Sequence, residues 1–201
     1  MKAELDALSA LPAATIYEAA GKSGDMSPAI RPIVAGQRMA GQAFTVRTLP
    51  CQSLPVLRAI AAAPPRSVLV IDAGGSDRST IWGGTSSLAA RVRGLAGVVT
   101  NASVRDIDEL VELGFPVFAA GVSLRGTLKD HPGETGVPVS VGGVPVMPGD
   151  LVFGDGDGVV VVPSARATEV ATAAAEQRAR EESRDARIRD GEDLLAVLNL
   201  S

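Results

Sequence analysis

The sequence SVLVIDAGG, residues 67–75, decides the fold class because it joins a buried strand to a glycine-rich loop. The β-branched run at 67–72 is typical of a strand covered on both faces. The next segments alternate in character: helix at 81–95, strand at 97–100, helix at 106–113 and strand at 115–119. This alternation predicts βαβ crossovers and parallel strand pairing.

The N-terminal part predicts helices and one half-buried strand. Apolar spacing over 5–21 is helical, with Pro12 dividing the segment. Alternating side chains between 33 and 49 predict a strand, and 54–63 predict a helix that ends at two prolines.

After Gly121 the pattern changes to short strands separated by turns: 137–141, 144–146, 151–153 and 159–162. Ser164 is a candidate N-cap for a long helix whose charges of both signs, over 176–193, predict a solvated face. A subunit contact through the same charges is the alternative. We therefore expect a domain at 1–163 and a C-terminal helical extension at 164–201, packed on that domain or on a neighbouring subunit.

The composition excludes several classes of protein. The chain has 201 residues, 46% of them hydrophobic and 21% charged, which favours one globular domain. A single cysteine, Cys51, and a single histidine, His131, exclude disulfide frameworks and Cys- or His-rich metal sites. A net charge of −4 and 3% aromatic residues argue against nucleic-acid binding. With no apolar run of about 18 residues and no signal-peptide pattern, we expect a soluble, cytoplasmic protein without membrane contact.

The sequence WGGTSS, residues 82–87, is the first candidate site. It opens a predicted helix, and unpaired N–H groups at a helix N-terminus attract small anions. Glycines allow the anion to approach the backbone closely. Gly83–Ser86 are therefore a candidate carboxylate pocket, although glycine at a loop–helix junction also serves backbone geometry alone.

Arg105 and Asp106 are the second candidate site, because they follow the predicted strand at 97–100 and open the next helix. An arginine can bind a carboxylate through two parallel hydrogen bonds, and an aspartate can supply one oxygen to Mg²⁺. The alternative is a capping aspartate beside a surface arginine. Since both candidates follow successive parallel strands, we expect them to converge in space.

Four other features are weaker candidates for a functional site. The sequence DGDG at 155–158 lacks the EF-hand spacing and predicts a tight turn. Cys51 is expected to be an inert thiol and His131 a loop residue. Glu18 is either a helix surface group or a site carboxylate.

Several motifs in a fixed order resemble the RraA-like family, which includes the class II 4-hydroxy-4-methyl-2-oxoglutarate (HMG/CHA) aldolases. They are TIYEAAG at 15–21, RPI at 31–33, NASVRD at 101–106, ELGFPVF at 112–118, GVPVMPGD at 143–150 and DGDGVVVVP at 155–163. The resemblance implies an α/β, swivelling β/β/α-type sandwich with a small β-barrel-like core and a C-terminal helix. It also implies a homotrimer or homohexamer with sites between subunits.

The resemblance also implies site residues and a reaction. The backbone of Gly83, Gly84, Thr85 and Ser86 would hold a pyruvoyl carboxylate, Arg105 would bind the substrate and its enolate, and Asp106 would ligate Mg²⁺ or Mn²⁺. Glu181 or Glu182 would approach the site from a neighbouring subunit. The implied activity is cleavage of a carbon–carbon bond in a 2-oxo acid to give a pyruvate enolate, with oxaloacetate decarboxylation as a companion reaction.

The sequence departs from the aldolase pattern at Gly84. The aldolases have an acidic residue at this position, and twenty residues separate it from the Arg-Asp pair. General acid–base catalysis raises reaction rates by about 10²–10⁴-fold. The missing acid therefore predicts a weak or altered lyase activity, on a substrate outside the usual dicarboxylates. Asp77, Asp108 and Glu109 are candidates to replace the acid. The alternative function is that of a non-catalytic RraA-like protein that binds and inhibits an RNA-degrading enzyme. Retention of Asp106 favours the lyase, whereas loss of the acid at position 84 favours the inhibitor.

Overall fold

The computed structural model describes residues 1–76 and 80–200. This part of the chain contains seven α-helices: α1 (Lys2–Ser9), α2 (Ala13–Ala19), α3 (Leu54–Ala62), α4 (Gly84–Val92), α5 (Ile107–Leu113), α6 (Ala167–Arg189) and α7 (Leu194–Val197). It also contains eleven strands: β1 (Arg31–Pro32), β2 (Met39–Arg47), β3 (Ser67–Asp72), β4 (Thr80–Trp82), β5 (Gly97–Val104), β6 (Val117–Val122), β7 (Glu134–Thr135), β8 (Val139–Val141), β9 (Val144–Val146), β10 (Leu151–Asp155) and β11 (Gly158–Val162).

Nine of the strands in the described residues form one mixed sheet that curls into a nearly closed, barrel-like shape. Its main path runs β1-β6-β5-β3-β2-β10-β11, with β4 paired to β5 and β7 paired to β2. Strands β2, β3, β5 and β6 are parallel neighbours, as the alternating segments predict, whereas β10 pairs antiparallel with β2 and β11. The predicted mixed α/β architecture is confirmed.

Strand β3 lies at the centre because its side chains serve two cores at once. Leu69 and Ile71 join the apolar cluster beneath α3, α4 and α5. Val68 and Val70 point to the opposite face and join the cluster beneath the β8–β9 hairpin. Alternate residues of a strand point to opposite faces, so a strand buried on both sides needs an uninterrupted apolar run.

The C-terminal helix α6 shares a third apolar cluster with α1, α2 and the β10–β11 hairpin. Pro12 separates α1 from α2, as expected. The predicted N-cap at Ser164 is wrong: α6 starts after a 3₁₀ turn, Ser164–Arg166, and its N-cap is Arg166. The Ser164 amide donates instead to Asp150 Oδ1 at 2.8 Å. The division of the chain at 163/164 stays a prediction.

Among the boundaries that differ from the sequence-based expectation, two bear on the site. The helix expected from residue 81 begins at Gly84, because Thr80–Trp82 forms the short strand β4 against β5. Strand β5 continues beyond residue 100 to Val104. Among the described helices, none is both long enough and apolar enough to cross a membrane.

Candidate functional site

The first turn of α4 is fixed in place by Trp82. Its side chain is 2% exposed, stacks on Phe115 with ring centroids 6.0 Å apart, and donates its indole N–H to Ser87 Oγ at 2.6 Å. Gly83 is the N-cap in an extended conformation, and Gly84 begins the helix. The buried tryptophan therefore positions the helix N-terminus that the sequence singled out.

Ser87→Ala is expected to destabilise the fold through this anchor. The change leaves a buried indole N–H without an acceptor, which lowers the free energy of unfolding by about 1–3 kcal/mol. Calorimetry is expected to show a melting temperature lower by about 2–4 °C for each kcal/mol lost. The matched control is Ser86→Ala, one residue earlier and half-buried, with an expected change below about 0.5 kcal/mol. Equal melting temperatures for the two variants would contradict a stabilising role for the Trp82–Ser87 hydrogen bond.

Pairing of β4 with β5 brings Arg105 and Asp106 to the start of α4. Trp82 lies opposite Val104 in the two strands, and the Arg105 amide donates to the Trp82 carbonyl at 3.1 Å. The predicted convergence of the two candidate sites is confirmed. It arises through β4, however, and not through β3 as the sequence suggested.

Asp106 has a strained backbone and a defined side-chain position. Its φ of 61° and ψ of 44° place it in the left-handed region, where non-glycine residues are uncommon and which often marks functional sites. Its Oδ2 accepts the Gly84 N–H at 3.0 Å, and its Oδ1 lies 3.5 Å from Arg105 Nε. The Arg105 and Asp106 side chains are 45% and 34% exposed, so both are open to solvent.

These groups border a cleft of about 180 Å³ that contains two cations, Arg105 and Lys129, and one carboxylate, that of Asp106. The lining residues are Ser53, Leu57, Thr80, Ile81, Trp82, Gly83, Thr85, Ser86, Arg105, Asp106, Thr127 and Lys129. Larger depressions exist, such as one of about 260 Å³ near Arg38 and Asp155, but Asp155 there accepts the Ala13 amide as a structural contact. The smaller cleft is the better candidate because its polar groups converge on a helix N-terminus.

One wall of the cleft was not predicted from the sequence. It is formed by Ser53, Thr127 and Lys129. Ser53 Oγ donates to Thr127 Oγ1 at 2.9 Å, and its amide donates to the Leu128 carbonyl at 2.9 Å. These bonds hold residues 127–129 against residues 51–53. Because the contact joins two distant loops and neither carries a recognisable motif, no local signal in the sequence identifies it.

Asp106 fits a hard divalent cation better than a zinc ion. In the described part of the chain no group of three or more His, Cys, Asp or Glu side chains is arranged to hold a metal, as a zinc site requires. Mg²⁺ keeps most of its waters and commonly uses one or two carboxylates together with ligand oxygens. A single solvent-exposed carboxylate at the edge of a cleft satisfies that requirement.

Several other acidic candidates do not line the cleft within one chain: Glu18, Asp108, Glu181 and Glu182. Glu181, on α6, accepts the Thr15 hydroxyl at 2.9 Å, and Glu182 pairs with Arg178 at 2.8 Å. Their expected approach to the site of a neighbouring subunit stays a prediction. Glu18 is an exposed helix residue 3.6 Å from Lys22 Nζ, which favours the surface alternative.

The remaining sequence candidates are structural or lie outside the described residues. The DGDG segment forms the predicted turn, with Asp155 paired to Gly158 across β10 and β11. His131 lies in a loop, as predicted, where its Nδ1 accepts the Gly133 amide. Asp77, a candidate replacement acid, falls outside the described residues.

Comparison with known proteins identifies the family. The family model described as RraA-like, Aldolase/RraA, matches residues 13–161. The chain belongs to the RraA-like family. An RraA-like relative from Halalkalibacterium halodurans, provisionally named 4-hydroxy-4-methyl-2-oxoglutarate aldolase, is 34% identical over 192 residues, 94% of this chain and 91% of its own.

Two solved structures share the fold. An uncharacterized protein from Pseudomonas syringae superposes with a TM-score of 0.85 at 29% identity, covering 98% of this chain and 97% of the other. The RNA-processing inhibitor RraA from Thermus thermophilis superposes with a TM-score of 0.70 at 28% identity, covering 76% and 93%. The resemblance found in the sequence motifs is therefore confirmed at the level of family and fold.

Proposed function

We propose that this RraA-like protein is a divalent-metal-dependent carbon–carbon lyase that acts on 2-oxo acids. Its reactions would be aldol cleavage of 4-hydroxy-4-methyl-2-oxoglutarate or a related compound, and decarboxylation of oxaloacetate. One observation carries the proposal: Arg105 and Asp106 meet the N-terminus of α4 in one solvent-open cleft. The provisional aldolase name of the Halalkalibacterium relative supports the same reaction class.

The first turn of α4 and Arg105 are suited to bind the 2-oxo acid. Among the described residues, no backbone or side-chain acceptor takes the N–H groups of Thr85 and Ser86, so both are free for a carboxylate. Arg105 offers a planar guanidinium next to that position. When the carbon–carbon bond breaks, negative charge moves to the enolate oxygen, and a fixed guanidinium stabilises that charge more than it stabilises the substrate.

Lys129 extends the site to a second anionic group. Its ammonium belongs to the 127–129 segment, whereas Arg105 follows β5, so the two cations reach the cleft from different parts of the chain. Oxaloacetate and 4-hydroxy-4-methyl-2-oxoglutarate each carry a carboxylate beyond the 2-oxo acid group. A second cation in the wall supports a dicarboxylate substrate, in contrast to the expectation from Gly84 of a substrate outside that class.

Asp106 is the residue that would hold Mg²⁺ or Mn²⁺. A divalent cation, when bound, supplies a Lewis acid that polarises the 2-oxo group. Asp106 is oriented for this role by two contacts, the Gly84 amide on Oδ2 and Arg105 on Oδ1. These contacts hold the carboxylate at the cleft without enclosing it.

The test is turnover of oxaloacetate with Mg²⁺ or Mn²⁺, with pyruvate measured by a coupled assay. The control is the same metal concentration without protein, because divalent cations decarboxylate oxaloacetate slowly by themselves. We expect turnover clearly above that blank, and loss of the excess when the metal is removed with a chelator. A wild-type rate equal to the blank for both oxaloacetate and 4-hydroxy-4-methyl-2-oxoglutarate would contradict the proposed function.

A second candidate function, inhibition of a ribonuclease, is supported by the structural likeness to the RraA from Thermus thermophilis. Under this alternative, Gly84 would reflect a site that has lost its catalytic acid, and the protein would bind the ribonuclease through its surface. The two functions make different predictions for Asp106, because an inhibitor has no use for a metal ligand. Ribonuclease inhibition that persists unchanged in Asp106→Asn, together with absent turnover, would favour the second function.

We also propose a homotrimeric or homohexameric assembly in the cytoplasm, as is implied by the sequence resemblance. In that assembly Glu181 or Glu182 would approach the cleft of a neighbouring subunit. Light scattering coupled to size-exclusion chromatography measures the mass directly. A monomer at micromolar concentration would contradict the assembly and leave both glutamates without a role at the site.

A further inference from the structure

The space beside Gly84 is filled by the carboxylate of Glu109. A Cβ atom built on Gly84 would overlap Glu109 Oε2 and lie 2.8 Å from its Cδ. Gly84 is itself buried beneath this side chain, whereas Glu109 is exposed. A carboxylate carried by α5 therefore occupies the position that a side chain at residue 84 of α4 would take.

Glu109 and Asp106 approach the same helix turn. A Cβ atom built on Gly83 would overlap Asp106 Oδ2, just as one on Gly84 would overlap Glu109 Oε2. Two consecutive glycines thus allow two carboxylates to lie directly on the start of α4. Glu109 does not itself line the cleft, but its carboxylate lies against Gly84, which stands between the lining residues Gly83 and Thr85.

The two carboxylates do not form a capping box on their own helix. Asp106 and Glu109 are the N-cap and N3 residues of α5, a spacing typical of a capping box in which both side chains satisfy their own helix. Here the N-cap makes no side-chain hydrogen bond to α5, and Asp106 bonds to α4 instead. No Lys or Arg of the described residues forms an ion pair with Glu109.

From this geometry we propose that Glu109 is the proton-transfer residue of the site, acting in the place that Gly84 leaves open. The inference rests on the proposed lyase function. In oxaloacetate decarboxylation the C3–C4 bond breaks, CO₂ leaves, and the electron pair forms the enolate. C3 then accepts one proton, which the Glu109 carboxyl group passes on directly or through a water molecule, and Glu109 regains a proton from solvent.

The test compares Glu109→Gln with the matched control Asp108→Asn, which removes the neighbouring exposed carboxylate of the same helix turn. We expect Glu109→Gln to lower kcat by about 10²-fold, within the range of general acid–base catalysis, with KM and oxalate affinity changed less than about threefold. Asp108→Asn is expected to keep wild-type values. Exchange of the C3 protons of pyruvate in D₂O, followed by NMR, measures the proton transfer without bond cleavage and should fall by a similar factor.

Relocation of the carboxylate provides the rescue experiment. Glu109→Ala is expected to lose activity as Glu109→Gln does, and addition of Gly84→Asp should restore at least a tenfold gain by returning a carboxylate to α4. The new Cβ would lie 3.2 Å from the Cβ of residue 109, so a small shift of α5 accommodates it. Gly84→Ala alone should displace the Glu109 carboxylate and lower kcat while Glu109 is still present.

The outcomes separate this inference from the proposed function. A wild-type protein that turns over oxaloacetate, together with Glu109→Gln that keeps wild-type kcat and C3 exchange, would overturn the role of Glu109 and leave the lyase intact. Equal losses in Glu109→Gln and Asp108→Asn would also overturn it, because the effect would then be general to the helix. Absence of turnover in the wild type would instead contradict the proposed function itself.

Discussion

Asp106→Asn is expected to lower kcat/KM for oxaloacetate by about 10³-fold and to remove detectable Mn²⁺ binding. Lewis-acid stabilisation is worth several kcal/mol of transition-state charge, and each 1.36 kcal/mol is a factor of ten in rate. Asparagine is the sharpest replacement because its amide oxygen can still accept the Gly84 N–H, and because asparagine tolerates the left-handed backbone that Asp106 adopts. The variant therefore removes the charge and keeps the geometry.

Calorimetric titration with Mn²⁺ and steady-state kinetics check this result together. Asp108→Asn is the control, since it removes an exposed carboxylate two residues away that does not line the cleft. A melting temperature close to that of the wild type shows that Asp106→Asn is folded. Retention of more than a third of the wild-type kcat/KM, or of the wild-type Mn²⁺ affinity, would contradict the metal-ligand role of Asp106.

Arg105→Lys is expected to lower kcat/KM by about 10²-fold although the positive charge is kept. Removal of one donor that stabilises a developing oxyanion commonly reduces rates by about 10²–10³-fold. An ammonium cannot form the two parallel hydrogen bonds that a guanidinium makes to a carboxylate, and it gives up the fixed position beside Asp106 Oδ1. Kinetics with oxaloacetate, with metal at saturation, measure the loss.

The control for this variant is Arg125→Lys, which alters an exposed arginine outside the cleft. Mn²⁺ affinity of Arg105→Lys should remain within about threefold of the wild type, because the metal is assigned to Asp106. Loss of Mn²⁺ affinity equal to that of Asp106→Asn would contradict a direct role in substrate binding. In that case Arg105 would act only by holding the aspartate.

Much of the fold follows from local patterns in the sequence. The uninterrupted apolar run in β3 predicts a doubly buried strand, and Leu69 and Val70 do point into opposite cores. Strand β4 could not be predicted in the same way, because Ile81 and Trp82 also fit the helical spacing of the residues after them. In a three-residue element, periodicity cannot separate strand from helix, and pairing with β5 decides the outcome.

The site could be predicted only where its residues follow strand ends. Arg105 and Asp106 were identifiable because parallel strands bring their carboxyl ends to one edge of a sheet. Lys129 was not, since its position depends on hydrogen bonds between the loop at 127–128 and the loop at 51–53. The direction of the Glu109 side chain was equally hidden, because its spacing from Asp106 is also that of a capping box.

The central claim is that the first turn of α4, Arg105 and Asp106 form one site for a metal ion and a 2-oxo acid enolate. Oxalate is a stable mimic of that enolate, and its affinity can be measured by calorimetric titration with and without Mn²⁺. Since binding at one site is coupled thermodynamically, Mn²⁺ should tighten oxalate binding at least tenfold in the wild type, and Asp106→Asn should abolish the coupling. Equal oxalate affinity with and without Mn²⁺ in the wild type, or full coupling in Asp106→Asn, would contradict the claim.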